Sequence, residues 1–371
     1  MKRRVLRISA YLVALGVAGF LVAASGIIPI RASSGHWAIT QWFLRFSMQR
    51  SIATHSIGTE VPKLDDDALV LKGAGHYEIG CRSCHGAPGS GPPRIAQAML
   101  PRAPDLIPRI RESSPKKLFQ VVKHGLKFTG MPAWPSQQRD DEVWAMVAFL
   151  LKMPEMDGTE YARLIRGEPP PVPPMQTMPA TLFTTASGVN ILQSCARCHG
   201  SDGLGRGSGA FPKLAGQRHA YFVNTMNAYA RGHRHSGIME PVAAALTDEL
   251  VQNLATYFAQ LDPAPVAGLS ETLSEEIAQG REIAEHGIPD RRVPACVECH
   301  GSKGKRTKAA YPSLAGQSAA YLLLQLQLFK EEKRGGTEYA HLMDEVAPKL
   351  KPDEMRAVAR YFESLPIRSA E

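Results

Sequence analysis

Three copies of the pattern Cys-x-x-Cys-His-Gly constrain this chain more than any other feature of its 371 residues. All six cysteines belong to the pattern and none is left over. The copies lie about 100 residues apart, too far for two pairs to close one zinc ribbon site. A redox disulfide does not require a histidine after the second cysteine, three times over. The three copies are Cys81-Arg-Ser-Cys84-His85, Cys195-Ala-Arg-Cys198-His199 and Cys296-Val-Glu-Cys299-His300.

This spacing is the attachment signature of c-type haem. Two thiols on one turn of chain can each add to a vinyl group of the same porphyrin, and the next residue can bring its imidazole to the iron. We therefore predict three covalently attached haems, with His85, His199 and His300 as axial ligands. The attachment residues are then Cys81, Cys84, Cys195, Cys198, Cys296 and Cys299.

A methionine follows each motif at a similar distance, which predicts a sixth iron ligand. Met131 lies 46 residues after His85, Met239 lies 40 after His199, and Met343 lies 43 after His300. Gly130 and Pro132 place Met131 in a loop outside any helix interior. His341 is a rival ligand in the third copy. Core packing is the commoner use of a single methionine, but a similar offset in three copies favours one shared role.

The N-terminal region carries most of the excess positive charge. Residues 1–63 hold eight of the 43 Lys and Arg residues and one acidic residue, so they account for +7 of the formal net charge of +8. The remaining body is nearly neutral, which removes the main support for nucleic acid as a partner. The charge instead indicates topology, since the stretch from Ile8 to Ile30 has no charge and follows four basic residues.

That uncharged stretch is long enough to cross a bilayer, and it predicts export of the body to the periplasmic side. A cleaved signal peptide with Ala24-Ser25-Gly26 as its cleavage site remains the alternative. The next segment, 32–63, contains Ile39, Trp42, Phe43 and Phe46 at helical spacings. It can lie in the lipid headgroup zone or pack on the first domain.

Helix-like stretches precede each motif at 69–80, 184–194 and 273–286, and follow each methionine at 140–149, 248–258 and 353–362. A proline-rich stretch predicts a semi-rigid linker that leaves the first unit adjustable in orientation. Asp262-Pro-Ala-Pro265 predicts a tighter joint between the other two. The predicted parts are an anchor or signal peptide at 1–31, an amphipathic helix at 32–63, unit 1 at 64–167, a linker at 168–180, unit 2 at 181–262 and unit 3 at 263–371.

With these motifs the chain resembles class I cytochromes c, small all-α domains whose N- and C-terminal helices cross while a methionine loop covers the haem. Units 2 and 3 share Pro-x-Leu-Ala-Gly-Gln after Phe211 and Tyr311, and they resemble the dihaem cytochrome c4 family over about 181–366. The resemblance implies an all-α chain of three tandem class I cytochrome c domains behind the N-terminal helix. It also implies that the carbonyls of Pro212 and Pro312 accept a hydrogen bond from the proximal histidines, with Pro104 in the matching place of unit 1.

Three six-coordinate irons without a substrate pocket predict an electron carrier with no catalytic residue of its own. The leading expectation is a membrane-tethered periplasmic trihaem cytochrome. It would relay single electrons from a quinol-oxidising complex or a periplasmic dehydrogenase to a terminal oxidase or another acceptor. The alternative is a fixed trihaem subunit of a membrane-bound alcohol, aldehyde or sugar-acid dehydrogenase that feeds ubiquinone. A haem enzyme such as a peroxidase would need an open iron, which three methionine ligands disfavour.

Overall fold

The computed structural model describes residues 2–166, 180–185, 188, 190–207, 209–261, 274–301 and 308–366. Their regular structure is helical, and the all-α prediction is confirmed. The helices are α1 (Lys2–Ala24), α2 (Ala38–His55), α3 (Asp67–Gly80), α4 (Arg82–His85), α5 (Arg94–Gln97), α6 (Leu106–Arg111), α7 (Pro115–His124), α8 (Asp140–Lys152), α9 (Gly158–Arg166), α10 (Ile191–His199), α11 (His219–Ala230), α12 (Met239–Ala244), α13 (Asp248–Gln260), α14 (Ser274–His286), α15 (Cys296–His300), α16 (Ala319–Lys330), α17 (Ala340–Val346) and α18 (Pro352–Ser364).

The N-terminal helix α1 stands apart from the folded body. None of its residues is buried, and its apolar window has a mean hydropathy of 2.1. Its 23 residues would span about 35 Å, enough to cross a membrane by length and composition. The following helix α2 touches α7, yet Trp42 and Phe46 stack on each other at 5.6 Å and remain exposed. An exposed aromatic surface on α2 therefore follows the apolar helix α1 along the chain.

Unit 1 is built on the crossing of α3 and α8. At the crossing point Gly73 has no side chain, and a Cβ there would overlap the Ala145 carbonyl oxygen and lie 2.6 Å from Phe149 Cβ. The glycine is needed because the two backbones approach this closely. The core around the crossing includes Tyr77, Val143 and Phe149, each no more than 1% exposed.

Unit 3 repeats this crossing with α14 and α18. Gly280 faces Ala357 and Tyr361 in the same way, and a Cβ there would lie 2.9 Å from Tyr361 Cβ. In unit 2, α13 provides Leu254 and Phe258 to a core that includes Phe183 from a 3₁₀ turn. The predicted helix at 184–194 begins later, at Ile191, because Asn190 caps it by accepting from Gln193 N–H at 3.4 Å.

Units 2 and 3 pack against each other through matching residues of their shared motif. The Gln217 amide donates to the Ser313 carbonyl at 3.1 Å, and its oxygen accepts from Ser313 N–H at 2.8 Å. Gln317 makes the same pair of bonds with Lys213, at 2.9 and 3.0 Å. The contact is reciprocal, so the two units are related by an approximate twofold arrangement. The joint at 262–265 lies outside the described residues.

Unit 1 also packs directly on unit 2, and the expectation of an adjustable orientation is wrong. Arg206 of unit 2 donates to the Leu164 carbonyl at 2.7 Å, and Arg139 of unit 1 donates to the His235 carbonyl at 2.8 Å. The linker stretch 168–179 lies outside the described residues, whereas residue 180 begins the next turn. The composition of the linker predicted that unit 1 could change its orientation. Composition carries no information about contacts between the units that the linker joins, so the packing could not be predicted from it.

Candidate haem sites

Each Cys-x-x-Cys-His motif occupies the end of a helix. The proximal histidines are the last residues of α4, α10 and α15. A glycine follows each of them with a positive φ, of 74° at Gly86, 77° at Gly200 and 92° at Gly301. The left-handed backbone lets the chain leave the helix directly after the histidine, which keeps both thiols and the imidazole on one short turn.

Four of the six motif thiols have surroundings that disfavour the thiolate. Burial raises the pKa of the Cys81 and Cys195 thiols to about 12, and that of Cys198 and Cys296 to about 11. Redox-active Cys-x-x-Cys pairs and thiolate metal ligands need the opposite shift, toward a lower pKa. These environments instead suit sulfurs that end as neutral thioethers against an apolar ring.

The three proximal histidines share one hydrogen-bonding arrangement. Their Nδ1 atoms lie 3.1 Å from the Pro104 carbonyl oxygen, 2.9 Å from that of Pro212 and 3.1 Å from that of Pro312, for His85, His199 and His300 respectively. A carbonyl oxygen only accepts, so each Nδ1 carries the proton and each Nε2 keeps a lone pair for a metal. Burial also lowers the pKa of His300 to about 4 and that of His199 below its usual value, which keeps both rings neutral.

A cavity of about 480 Å³ lies between units 2 and 3. All of its lining residues belong to these two units, and most are apolar. It brings together His199 and Met239 of unit 2 with His300 and Met343 of unit 3. His341, the rival ligand, is exposed and does not line the cavity, so the geometry favours Met343.

The predicted methionines occupy different local structures. Met131 is half-buried in a loop closed by the Leu126 N–H, which donates to the Met131 carbonyl at 3.1 Å. Thr129 supports the same loop by accepting from Met131 N–H at 3.1 Å. Met239 is the first residue of α12, and Met343 lies within α17.

Two arginines in the cavity wall were missed by the sequence analysis. Arg234 is 3% exposed and donates to the hydroxyls of Tyr221 and Tyr321 at 3.3 and 3.0 Å. Arg334 lies beside it and donates to Gln325 Oε1 at 2.6 Å. These acceptors are neutral, and no salt bridge within the described ranges includes either guanidinium. Burial, together with the nearby charge of Arg234, lowers the pKa of Arg334.

A buried cation and a half-buried one, neither of them in a salt bridge within the described ranges, are costly, so this wall suits a ligand that brings negative charge. Haem carries two propionate carboxylates, and the cavity also supplies apolar walls, thiols and neutral imidazoles. The residues present therefore fit c-type haem. A sequence signal existed for the pair, since Arg234 and Arg334 are separated by 100 residues, as are Pro212 and Pro312, and Gln217 and Gln317.

We expect Arg234→Met to lower the potential of one haem and to make that potential pH-dependent near neutrality. Removing a cation destabilises the reduced state relative to the oxidised one by on the order of 1 kcal/mol at an effective dielectric constant of about 20. It also raises the pKa of a neighbouring propionate, so the potential falls as pH rises through that pKa. Potentiometric titrations at several pH values measure both effects. Arg231→Met, three residues away on the exposed surface, is the control, and equal behaviour of the two variants would contradict the assignment.

Comparisons with known proteins agree with this geometry. The family model described as cytochrome c oxidase, cbb3-type, subunit III matches residues 68–150, and the model described as cytochrome c matches 181–262 and 277–366. A thiosulfate dehydrogenase electron acceptor from Stutzerimonas stutzeri is 36% identical over 49% of this chain and 83% of its own length. A protein of the same description from Thiomonas intermedia is 32% identical over 47% of this chain and 79% of its own.

A cytochrome c4 from Pseudomonas aeruginosa is 31% identical over 48% of this chain and 88% of its own length. These matches confirm the resemblance and the prediction of cytochrome c domains behind an apolar N-terminal helix. The exact domain boundaries stay predictions. The chain belongs to the cytochrome c family, and about half of it is homologous to the dihaem cytochromes c4 and to thiosulfate dehydrogenase electron acceptors.

Proposed function

We propose that this chain is a membrane-tethered periplasmic trihaem cytochrome that relays single electrons between redox proteins. The observation that carries the proposal is the repeated histidine–proline geometry, present once in each of three units. The homologues support the more general function of a multihaem electron-transfer cytochrome. Three haems, the axial set His85/Met131, His199/Met239 and His300/Met343, and the membrane tether belong to the proposal.

Bound haem supplies an iron that changes its oxidation state by one electron. The chain's own residues hold and shield that site. The proline carbonyls orient the imidazoles and increase their basicity, which tunes the metal. The apolar cavity wall limits access of water, and the buried Arg234 adds positive charge that favours the reduced state.

The relatives suggest the class of the donor. Two of them are described as electron acceptors of thiosulfate dehydrogenase, and each matches about half of this chain. We propose that electrons reach this chain from the same class of donor, a periplasmic dehydrogenase, or from a quinol-oxidising complex. A terminal oxidase is the proposed acceptor. Unit 1 matches a model named for a subunit of an oxidase, which supports an acceptor of this type.

The N-terminal segment supports attachment to the membrane surface. The apolar α1 is followed by α2, where Trp37, Trp42 and Phe43 are 69%, 61% and 58% exposed. Large exposed aromatic residues next to a spanning helix suit the lipid headgroup region. Because α2 also touches α7 of unit 1, one face of α2 packs on that unit while its exposed aromatic face suits the headgroup zone. A cleaved signal sequence would remove α1 and leave α2 as the remaining apolar surface.

The second candidate is a fixed haem subunit of a membrane-bound dehydrogenase, and purification separates the two. We expect the full-length protein, extracted from its own membranes in mild detergent, to purify without a stoichiometric dehydrogenase. Reduced by thiosulfate and a thiosulfate dehydrogenase, it should reach full reduction at substoichiometric enzyme, since a mobile carrier exchanges partners. A dehydrogenase that remains bound at one copy per chain would instead support the fixed subunit.

A further inference from the structure

The loop before Met239 is organised by the hydroxyl of one buried serine. Ser236 is 2% exposed, and its Oγ accepts from the N–H groups of Ile238 and Met239 at 3.3 and 3.1 Å. Both bonds use lone pairs of the oxygen, so the hydroxyl proton is directed elsewhere. It is donated to Oε1 of Glu142 at 2.7 Å. Glu142 belongs to unit 1, whereas the loop belongs to unit 2.

The carboxylate of Glu142 holds the loop at a second point. Its Oε2 accepts from Gly237 N–H at 2.7 Å, and Glu142 itself is 3% exposed. Gly237 cannot carry a side chain here, since a Cβ would lie only 2.7 Å from Cε2 of Trp134. The loop backbone therefore sits directly on the surface of unit 1 between an indole ring and a buried carboxylate.

The residues on either side of these bonds also contact unit 1. The His235 carbonyl accepts from Arg139 at 2.8 Å, and the Ile238 side chain packs against the core cluster of unit 1. Arg139 also lies 3.0 Å from Glu142 Oε1, which balances the charge of the carboxylate. Four consecutive residues, 235–238, are thus fixed by unit 1 immediately before the proposed sixth ligand of unit 2.

We propose that Glu142 is a positioning residue for Met239, so that unit 1 completes the sixth-ligand loop of unit 2. The inference rests on the proposed role of Met239 as an iron ligand. Charge-assisted bonds from the Ser236 hydroxyl and Gly237 N–H are stronger than neutral ones and fix the direction in which the loop enters α12. Docking of unit 1 and ligation in unit 2 are then coupled, although the two units are separate in the sequence.

The test uses the full-length holoprotein with Glu142→Gln. The amide presents a donor where the carboxylate accepted, so one of the two loop bonds is lost. We expect partial or complete loss of Met239 coordination, seen as a decrease of up to about one third in the red absorption band that reports methionine bound to ferric haem. One of three midpoint potentials should fall, and the other two should be unchanged.

Asp140→Asn is the matched control. Asp140 lies two residues earlier on α8, and its ion pair is with Lys123 of unit 1 and includes neither Arg139 nor residues 235–238. A merely structural role of the negative charge on α8 would affect both variants alike. The proposal requires the absorption band and the potentials of the control to remain as in the wild type.

Ser236→Ala provides a second variant in case Glu142→Gln does not fold. It removes the hydroxyl that connects Glu142 to Met239 N–H, and we expect the same spectral change. The double variant should lose no more than the larger single effect, since both changes act through one contact. Retention of the full band and of all three potentials in both single variants would overturn the proposal.

Met239→Leu separates this inference from the proposed ligand set. If Met239→Leu leaves the red band intact, Met239 is not the ligand and the proposed axial set of unit 2 fails. If Met239→Leu removes about one third of the band while Glu142→Gln and Ser236→Ala leave it intact, the ligand assignment stands and the positioning role of Glu142 is wrong.

Discussion

Replacing Cys195 and Cys198 together by alanine is expected to remove the second haem and to destabilise unit 3 along with unit 2. Both units line the one cavity of about 480 Å³, so an absent haem leaves a void that reaches across their boundary. At roughly 24 cal/mol per Å³, half of that volume costs about 6 kcal/mol, comparable with the whole stability of a small domain. The haem content of unit 3 should therefore fall as well.

The matched control is the double variant Cys81→Ala/Cys84→Ala. Its motif lies in unit 1, whose residues do not line this cavity. It should lose the haem of unit 1, while unit 3 keeps its haem and unfolds at the wild-type temperature. Haem content by mass and thermal unfolding by circular dichroism measure both variants. If the variant of unit 2 lost a single haem and unit 3 unfolded as in the wild type, the shared cavity would not couple the two units.

Met131→His is expected to lower one midpoint potential by on the order of 0.1–0.3 V, within the range of about 0.8 V that axial ligands span. A thioether ligand raises the potential of a haem relative to a second imidazole, because the imidazole donates more strongly to ferric iron. The carbonyl of Met131 accepts from Leu126 N–H and its own N–H donates to Thr129 Oγ1, so the substituted side chain starts from a fixed backbone position. Optical redox titration of the full-length protein measures the shift.

Met48→His is the control for this substitution. Met48 lies on the exposed surface of α2, outside the proposed ligand sets, and its replacement should leave all three potentials unchanged. If Met131→His also leaves all three potentials at the wild-type values, Met131 is not the sixth ligand of unit 1. Appearance of the low-potential centre in both variants would point to a general effect of the added histidine.

Local patterns in the sequence predicted the helices that carry the motifs. The expected stretches 140–149, 248–258 and 353–362 lie within α8, α13 and α18, because apolar periodicity reports which face of a helix is buried. The start of α10 was predicted too early, since the Asn190 cap is a local hydrogen bond that periodicity does not report. The pairing of histidine Nδ1 with a proline carbonyl was available only through the family resemblance.

Contacts between units could not be predicted in this way. Glu142 meets Ser236 across 94 residues, and neither residue belongs to a recognisable motif. The glycine at position 75 allows α3 to approach Cys198 so closely that a Cβ would lie 3.1 Å from its sulfur. Such contacts depend on how the surfaces of two folded units fit together. The sequence therefore indicated three haem units but not that unit 1 is fixed against the haem attachment of unit 2.

All three motifs are proposed to carry covalently attached haem. Mass spectrometry of the intact, denatured protein tests this proposal most directly, because thioether-linked haem stays on the chain after unfolding whereas non-covalently bound haem is lost. We expect the mass of the polypeptide plus three haem groups, with peptide mapping that places one on each Cys-x-x-Cys-His motif. A mass with fewer than three haems, or with free thiols at one motif of the mature protein, would contradict the proposal.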